Sequence, residues 1–423
     1  MLIKNFLDSK SIKDFSSLFL SNLFQKFLGL IRELVIAFFL GSSILYANFL
    51  LLRVVADFFS QLTAGNALKA NLLPKFTKIY NRYNAVSLNH VFLFSKRNSI
   101  YFFVISQLIQ SAVIFYLNLQ DNLLFFILSF ILSVSISFNF INTIFLTIIQ
   151  ARGMFLRYSY ATITNSMVFT ILVYPLISIS SVIGLAISRL IGILSLHFTF
   201  VRSLKRENSG QEIKLESSDF NLPTLVLGNF ANIIIIFSRF IAGSDGSNNI
   251  TFFMYAVVIL NVLLTSVIGN ISTILLRSIS VGRNIRLMIY SLSFSFLVGL
   301  CMVSVLYFYS YDIIKLIYFR GAFTLVDVQE TAIYLFNLSF SFLLLFMASI
   351  LFQPFLSLPI IETKETRLKL VIVFLLSILL CSIIVILTEL SVKEKALFSM
   401  YFTSLISFIL SMYSYTKYRQ NGK

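Results

Sequence analysis

Charged residues are scarce in this sequence. Asp, Glu, Lys and Arg make up only 12% of its 423 residues, against about 25% in soluble globular domains, so a soluble fold is excluded. Cysteine is almost absent. Cys301 and Cys381 both fall in apolar runs, which leaves neither a disulfide framework nor thiolate spacing for zinc. His90 and His197 lie far apart with no acidic cluster beside them, and no metal site or cofactor is expected. Tryptophan is missing altogether, so the 19 tyrosines must form the aromatic belt at the membrane surface. No cleavable signal is convincing, since residues 1–15 hold Asp8 and Asp14 and lack a continuous apolar core.

What is present is apolar. Hydrophobic residues make up 58% of the chain and the mean hydropathy is +0.91. They are gathered in runs of about 20, the length that crosses a hydrocarbon core about 30 Å thick as a helix. A β-barrel is excluded, because its strands are segments of about 10 residues with alternating polarity. About twelve spans are predicted, at 16–40, 45–73, 99–117, 123–150, 158–179, 182–201, 223–242, 251–276, 287–309, 331–352, 368–388 and 396–414. The net charge of +16 is scattered through short loops. It therefore sets orientation in the membrane, and no nucleic acid partner is expected. Lysines and arginines crowd one side, as in Lys75, Lys78, Arg82, Lys96 and Arg97, whereas the other side has only Lys315, Arg320, Lys393 and Lys395. The positive-inside rule then predicts a multi-pass protein of the cytoplasmic (inner) membrane with both termini cytoplasmic.

The longest hydrophilic stretch divides the chain evenly. The expected organisation is an N-terminal lobe of six helices over 1–201, a cytoplasmic linker over 202–222 and a C-terminal lobe of six helices over 223–423. The ends of the first and seventh spans are weakly similar, Phe38-Phe39-Leu40-Gly41-Ser42 against Phe240-Ile241-Ala242-Gly243-Ser244. Six spans per half give two repeats of the same orientation, and transporters built so bind near the midplane between the halves.

Six cations lie in or near spans: Lys26, Arg32, Arg53, Lys69, Arg189 and Arg239. A charge in hydrocarbon costs about 2.5–3.5 kcal/mol on insertion scales, and such residues mark pathways. Lys69 is close enough to a span end to snorkel. Arg189 has a similar escape, or a pair on a neighbouring helix. Lys26 and Arg32 are about 120° apart around one helix and about 9 Å apart along it, so they flank one groove without meeting on one ligand atom. Arg53 and Asp57 have the spacing of an intrahelical ion pair. The plainer alternative is that Arg53 and Asp57 neutralise each other and that Glu33 pairs with a cation on another helix. Arg239 has no acid nearer on its own segment than Asp245. Lys26, Arg32, Arg53 and Arg239 are the candidate substrate-binding residues, and Glu33 and Asp57 the candidates for ion coupling. Their anionic complement is a carboxylate or, better, a phosphate, whose geometry matches the guanidinium fork.

The same residues carry a family resemblance. Lys26-Phe27-Leu28-Gly29-Leu30-Ile31-Arg32-Glu33 resembles the first-span motif of the lipid II flippase family (MurJ/MviN-like), a basic residue followed by Leu-Gly-Phe-x-Arg-Asp. Ala64-Gly65-Asn66-Ala67 to Leu73-Pro74 is similar to that family's Glu-Gly-Ala-Phe run ending in proline. Arg320-Gly321-Ala322-Phe323-Thr324 with Asp327 matches an external-loop motif, and 269–280 is a looser match. The resemblance implies the multidrug/oligosaccharidyl-lipid/polysaccharide exporter superfamily, hence an all-α polytopic membrane protein of about 12 helices in two six-helix lobes around a central cavity. It also implies that Lys26 and Arg32 engage a pyrophosphate. The sequence departs from the pattern where an arginine pair on the second span would fall near Ser60 and Gln61. It departs again where Tyr-Ala-Asp-Arg reads Tyr255-Ala256-Val257-Val258, a charge that Arg239 is placed to replace.

The expected function is a flippase that moves a polyprenyl-pyrophosphate-linked sugar, lipid II or a surface-polysaccharide unit, by alternating access, with no covalent chemistry. The expected partners are a lipid-linked oligosaccharide, membrane lipids and a monovalent cation or proton, and the expected state is a monomer. Two alternatives are a cation-coupled multidrug antiporter of the same superfamily and a membrane polysaccharide polymerase or glycosyltransferase. The latter needs paired carboxylates in long loops, and Asp312, Asp327 and Glu330 more simply solvate a loop and cap the next helix. An inactive transporter-like scaffold is the remaining alternative.

Overall fold

The computed structural model describes residues 10–64, 66–83, 86–117, 122–204, 211–216, 219–220, 222–262, 285–357 and 360–421. Nearly all are helical, since a chain in hydrocarbon must satisfy its backbone within each segment. In order, the helices are α1 (Lys10–Leu40), α2 (Ile44–Ala64), α3 (Asn66–Arg82), α4 (Asn89–Tyr116), α5 (Asn122–Ala151) and α6 (Phe155–Leu196). Then follow α7 (Leu222–Gly228), α8 (Phe230–Ala242), α9 (Asn249–Val262), α10 (Ile285–Tyr318), α11 (Leu325–Ser357), α12 (Ile360–Leu387) and α13 (Val392–Asn421). The chain forms two compact units. The first comprises Met1–Phe39 with Leu52–Asn221, and the second Leu40–Leu51 with Leu222–Lys423.

This is an all-α polytopic membrane fold. Among the described residues 8 helices are long and apolar enough to cross a membrane, or 9 with α7 and α8, which meet at a 71° bend, taken as one span. Helix α1 has the length, 31 residues, but carries the three ionisable side chains of its motif. Helix α6 is two spans. Ser180 and Ser181 break it, the latter at φ 51° and ψ −126°, and the chain turns back on itself. A Cβ on Gly184 would collide with the Leu176 carbonyl, and one on Gly192 would lie 2.9 Å from the Asn165 oxygen. Glycine at both positions lets the antiparallel helices approach to backbone contact. The expected span over 45–73 is divided, because α3 begins at Asn66 and carries Lys69, Lys75, Lys78 and Arg82, too many charges for hydrocarbon. The expected span over 251–276 is described only to Val262, and Gly65 and the match at 269–280 lie outside the described residues.

Polar side chains join neighbouring helices in each unit. In the first, Gln110 and Ser106 both donate to the Ser133 hydroxyl at 3.0 Å, and Gln107 donates to Ser129 at 2.9 Å, tying α4 to α5. In the second, Ser399, Thr403, Ser407 and Ser411 recur every fourth residue on α13 and form a buried row of small side chains, on a helix that packs against α8, α11 and α12. Small residues at that spacing allow close approach without a hydrophobic driving force. The stretch 202–222 is not a bare connector. Gln211–Glu212 pairs in parallel with Val86–Ser87, Ile213 and Leu215 are buried, and Lys75 meets Asp219 at 2.6 Å.

The external-loop motif is a clasp within the second unit. Asp327 Oδ2 accepts from the Thr324 amide at 2.7 Å and the Asp327 amide donates back to the Thr324 hydroxyl, a capping box at the start of α11. Its other oxygen accepts the Ser42 hydroxyl at 2.6 Å. Gly41 has φ +50°, and a Cβ there would sit 2.5 Å from the Ala322 carbonyl oxygen, so only glycine fits. The Tyr255 hydroxyl donates to the Gly41 carbonyl, and the rings of Tyr255, Tyr318 and Phe323 cluster in tilted and edge-on contacts. Asp327 thus caps the helix, as expected, and also holds the α1–α2 turn. Loss of a cap costs about 1 kcal/mol. Asp327→Ala should therefore lower the thermal unfolding midpoint in detergent by clearly more than Thr324→Ala, which leaves the Ser42 bond. Equal shifts would show that the Ser42 contact contributes nothing.

Candidate functional site

Helix α1 runs unbroken through its charged motif, so the spacing of Lys26 and Arg32 read from the sequence is kept. It lies against the first half of α6. Gln25 Nε2 donates to the Thr162 hydroxyl at 3.1 Å, the Thr170 hydroxyl reaches the Leu28 carbonyl at 3.4 Å, and Phe39 meets Tyr174 edge-on at 5.3 Å. Both residue numbers rise together along these contacts, so the two helices run parallel. The Arg32 guanidinium sits over the Phe169 ring, 4.2 Å from its centroid. A partly desolvated contact of this kind is worth about 1–2 kcal/mol. Lys26 is half-buried on the same helix.

Glu33 is turned about 100° from Arg32 and shares a buried stripe with Ile36, Ala37 and Leu40. It is only 3% exposed, and among the described residues its Oε2 has no hydrogen-bond partner. The alternative in which Glu33 pairs with a cation on another helix has no counterpart among the described ion pairs. A charge so placed is costly unless a counter-charge is brought to it.

Asp57 is the centre of the first unit's charge cluster. Arg53 Nε lies 3.5 Å from Asp57 Oδ2, the intrahelical pair expected from the spacing. Arg189, in the second half of α6, donates from Nη2 to Asp57 Oδ1 at 3.1 Å. Two guanidinium groups therefore share one carboxylate, and these three residues carry one excess positive charge. The sequence left Arg189 either a span end or a pair on a neighbouring helix, and the pair is what forms. Only the i, i+4 half of the cluster has a local signal, because Arg189 stands 132 residues from its partner.

Arg239 belongs to the second unit. It is 4% exposed in the last turn of α8, where the helix dipole favours a cation, and its Nη1 is 3.1 Å from the Met254 sulfur on α9. Met254 lies one helical turn before Val258, the position at which the resemblance calls for an arginine. The side chain of Lys69 is outside those described.

Comparison with solved structures gives extensive matches. One is a lipid II flippase, MurJ, in an inward closed conformation, with TM-score 0.77 and 18% identity, covering 94% of this chain and 87% of that one. Another is a multidrug resistance MATE family transporter of the MOP superfamily in an outward-facing conformation, with TM-score 0.65 and 14% identity over 98% of this chain and 96% of that one. The fold is that of the lipid II flippases and MATE transporters. A MOP superfamily transporter from Pyrococcus furiosus, described as having a binding pocket of reverse polarity, also matches, with TM-score 0.56 and 14% identity over 96% of this chain and 94% of that one. No family model and no curated protein sequence matches the chain. At such identities the likeness is one of fold alone, and the residues themselves must carry any argument about a cargo.

Removing one partner of a buried ion pair leaves an uncompensated charge, a loss of about 3–5 kcal/mol when burial is complete and less for groups still partly exposed. Asp57→Ala should lower the unfolding midpoint sharply. The double variant Asp57→Ala/Arg189→Gln should recover part of the loss, since it removes one stranded guanidinium. Additive losses in the double-mutant cycle would show that the contact is not formed in the membrane.

Proposed function

We propose that the protein is a flippase that moves a polyprenyl-pyrophosphate-linked sugar, lipid II or a surface-polysaccharide unit, across the cytoplasmic membrane by alternating access. Both termini are cytoplasmic in this reading, and the monomer acts alone without a cofactor. The observation that carries it is the excess of cation in membrane-embedded helices: Arg53 and Arg189 share Asp57, and Lys26 and Arg32 add two more charges on α1. An anionic head group is the natural complement, and guanidinium forks suit phosphate better than a single carboxylate. Lys26, Arg32, Arg53 and Arg239 replace the hydration that the pyrophosphate loses on entering the membrane, while the polyprenyl chain stays in lipid. The contact of Arg239 with Met254 supports its standing in for the missing arginine near Val258.

Of the two acids proposed for ion coupling, Glu33 is the better placed. Asp57 is already engaged by two arginines, whereas Glu33 is buried with an oxygen unsatisfied among the described residues. The same acid favours a second reading, the cation-coupled antiporter. Reconstituted vesicles loaded with a fluorescent polyprenyl-pyrophosphate sugar separate the two. Wild type should expose the sugar to an external quencher, and Lys26→Ala/Arg32→Ala should slow this at least tenfold, as expected when charge-assisted hydrogen bonds of about 1.5–3 kcal/mol are lost. Undiminished flipping in that variant would sink the mechanism. Transport of a cationic dye that collapses with a pH or sodium gradient, without flipping, would favour the antiporter.

A further inference from the structure

Outside the charge cluster, the start of α4 builds a second site. His90, Leu93, Phe94, Arg97 and Ile100 follow one another at helical spacing along one face. The segment 213–216 lies against that face, with the Leu215 amide donating to His90 Nδ1 at 3.3 Å. It is held there by the strand pair 86–87 with 211–212 and by the Lys75–Asp219 ion pair. Between them is a groove of about 720 Å³. Two rings line it, His90 stacked on Phe94 at 6.5 Å, and Phe94 is backed in turn by Phe220 at 5.6 Å.

Its rim is charged and unsatisfied. Lys96 and Arg97 are both exposed, and among the described residues neither side chain has an ion-pair or hydrogen-bond partner. Lys75, Lys369 and Lys393, by contrast, each meet a carboxylate at 2.6 Å. Glu216 is the one acid on the rim, so the groove carries a net single positive charge. Beyond it the face of α4 continues as exposed Ile100, Val104 and Leu108. On a membrane-spanning helix such a stripe meets acyl chains. A cationic groove opening directly onto an acyl-facing stripe fits an amphiphile with an anionic head.

We propose that this groove binds an anionic glycerophospholipid, its phosphate on Lys96 and Arg97 and its acyl chains along Ile100, Val104 and Leu108. Charge complementarity selects the head and the apolar continuation selects a lipid over free phosphate. The site is separate from the residues assigned to the cargo, so it stands or falls independently of the flippase reading.

Native mass spectrometry of the detergent-purified chain, titrated with phosphatidylglycerol, phosphatidylethanolamine or inorganic phosphate, tests the assignment. Wild type should retain phosphatidylglycerol at least tenfold more tightly than Lys96→Gln/Arg97→Gln. The exposed pair Lys78→Gln/Arg82→Gln on α3, which removes the same charge elsewhere, should bind as wild type. The unliganded melting temperature of all three should agree, and phosphatidylglycerol should raise it only in wild type and the α3 variant. Equal retention of phosphatidylethanolamine, equal loss in the α3 variant, or binding of inorganic phosphate as tight as the lipid would each overturn the proposal.

Discussion

Charge placed among apolar helices has to be answered locally, because hydrocarbon supplies neither water nor counterions. In the first unit the answer is the Asp57 carboxylate, which holds Arg53 on its own helix and Arg189 on the second half of α6. At an effective dielectric constant of about 20, opposite charges at about 4 Å attract by about 4 kcal/mol. That is enough to offset much of the cost of bringing them in. One acid shared by two arginines leaves the three residues with a net positive charge, and it is this charge that the proposed function assigns to an anionic head group. Arg32 meets the same constraint differently, by lying on the quadrupole of Phe169.

Close packing depends on a second set of residues, chosen for what they lack. Gly184 and Gly192 remove the Cβ atoms that would keep the halves of α6 apart, and Gly41 removes the one that would strike Ala322. Small residues on α13 serve the same purpose, and Ser399, Thr403 and Ser411 satisfy their hydroxyls on their own helix, on the carbonyls of Ala396, Ser399 and Phe408. Lipid competes for apolar side chains as well as protein does, so helix association rests on such shape and on hydrogen bonds. The clasp around Gly41, Ser42 and Asp327 extends this to the loops. It gives the arginine-glycine-alanine-phenylalanine-threonine motif a structural role in the loop between α10 and α11. Its glycine–alanine stretch accommodates the α1–α2 turn, its phenylalanine joins the tyrosine cluster, and its threonine caps α11.

The spans were legible in the sequence because they rest on length and composition. Even the two-residue break between the fifth and sixth was visible at Ser180–Ser181. So was the Arg53–Asp57 pair, since helical spacing alone brings the two together. The limit appears at α3, where continuous reading from 45 to 73 ran on into a second helix, because Lys69 is that helix's one charge before residue 73 and Lys75, Lys78 and Arg82 come only after it.

What the amino-acid sequence determined by itself is the class of object: a helical, membrane-embedded chain with cations where cations are expensive. Composition and local periodicity suffice for that, because the bilayer acts on each segment separately. Which charges meet was decided only by tertiary structure. Arg189 reaches Asp57, Ser42 reaches Asp327 and Leu215 covers His90 across 132, 285 and 125 residues of chain. No local pattern encodes such contacts, since they arise from how helices pack, and packing depends on the shapes of all the faces at once.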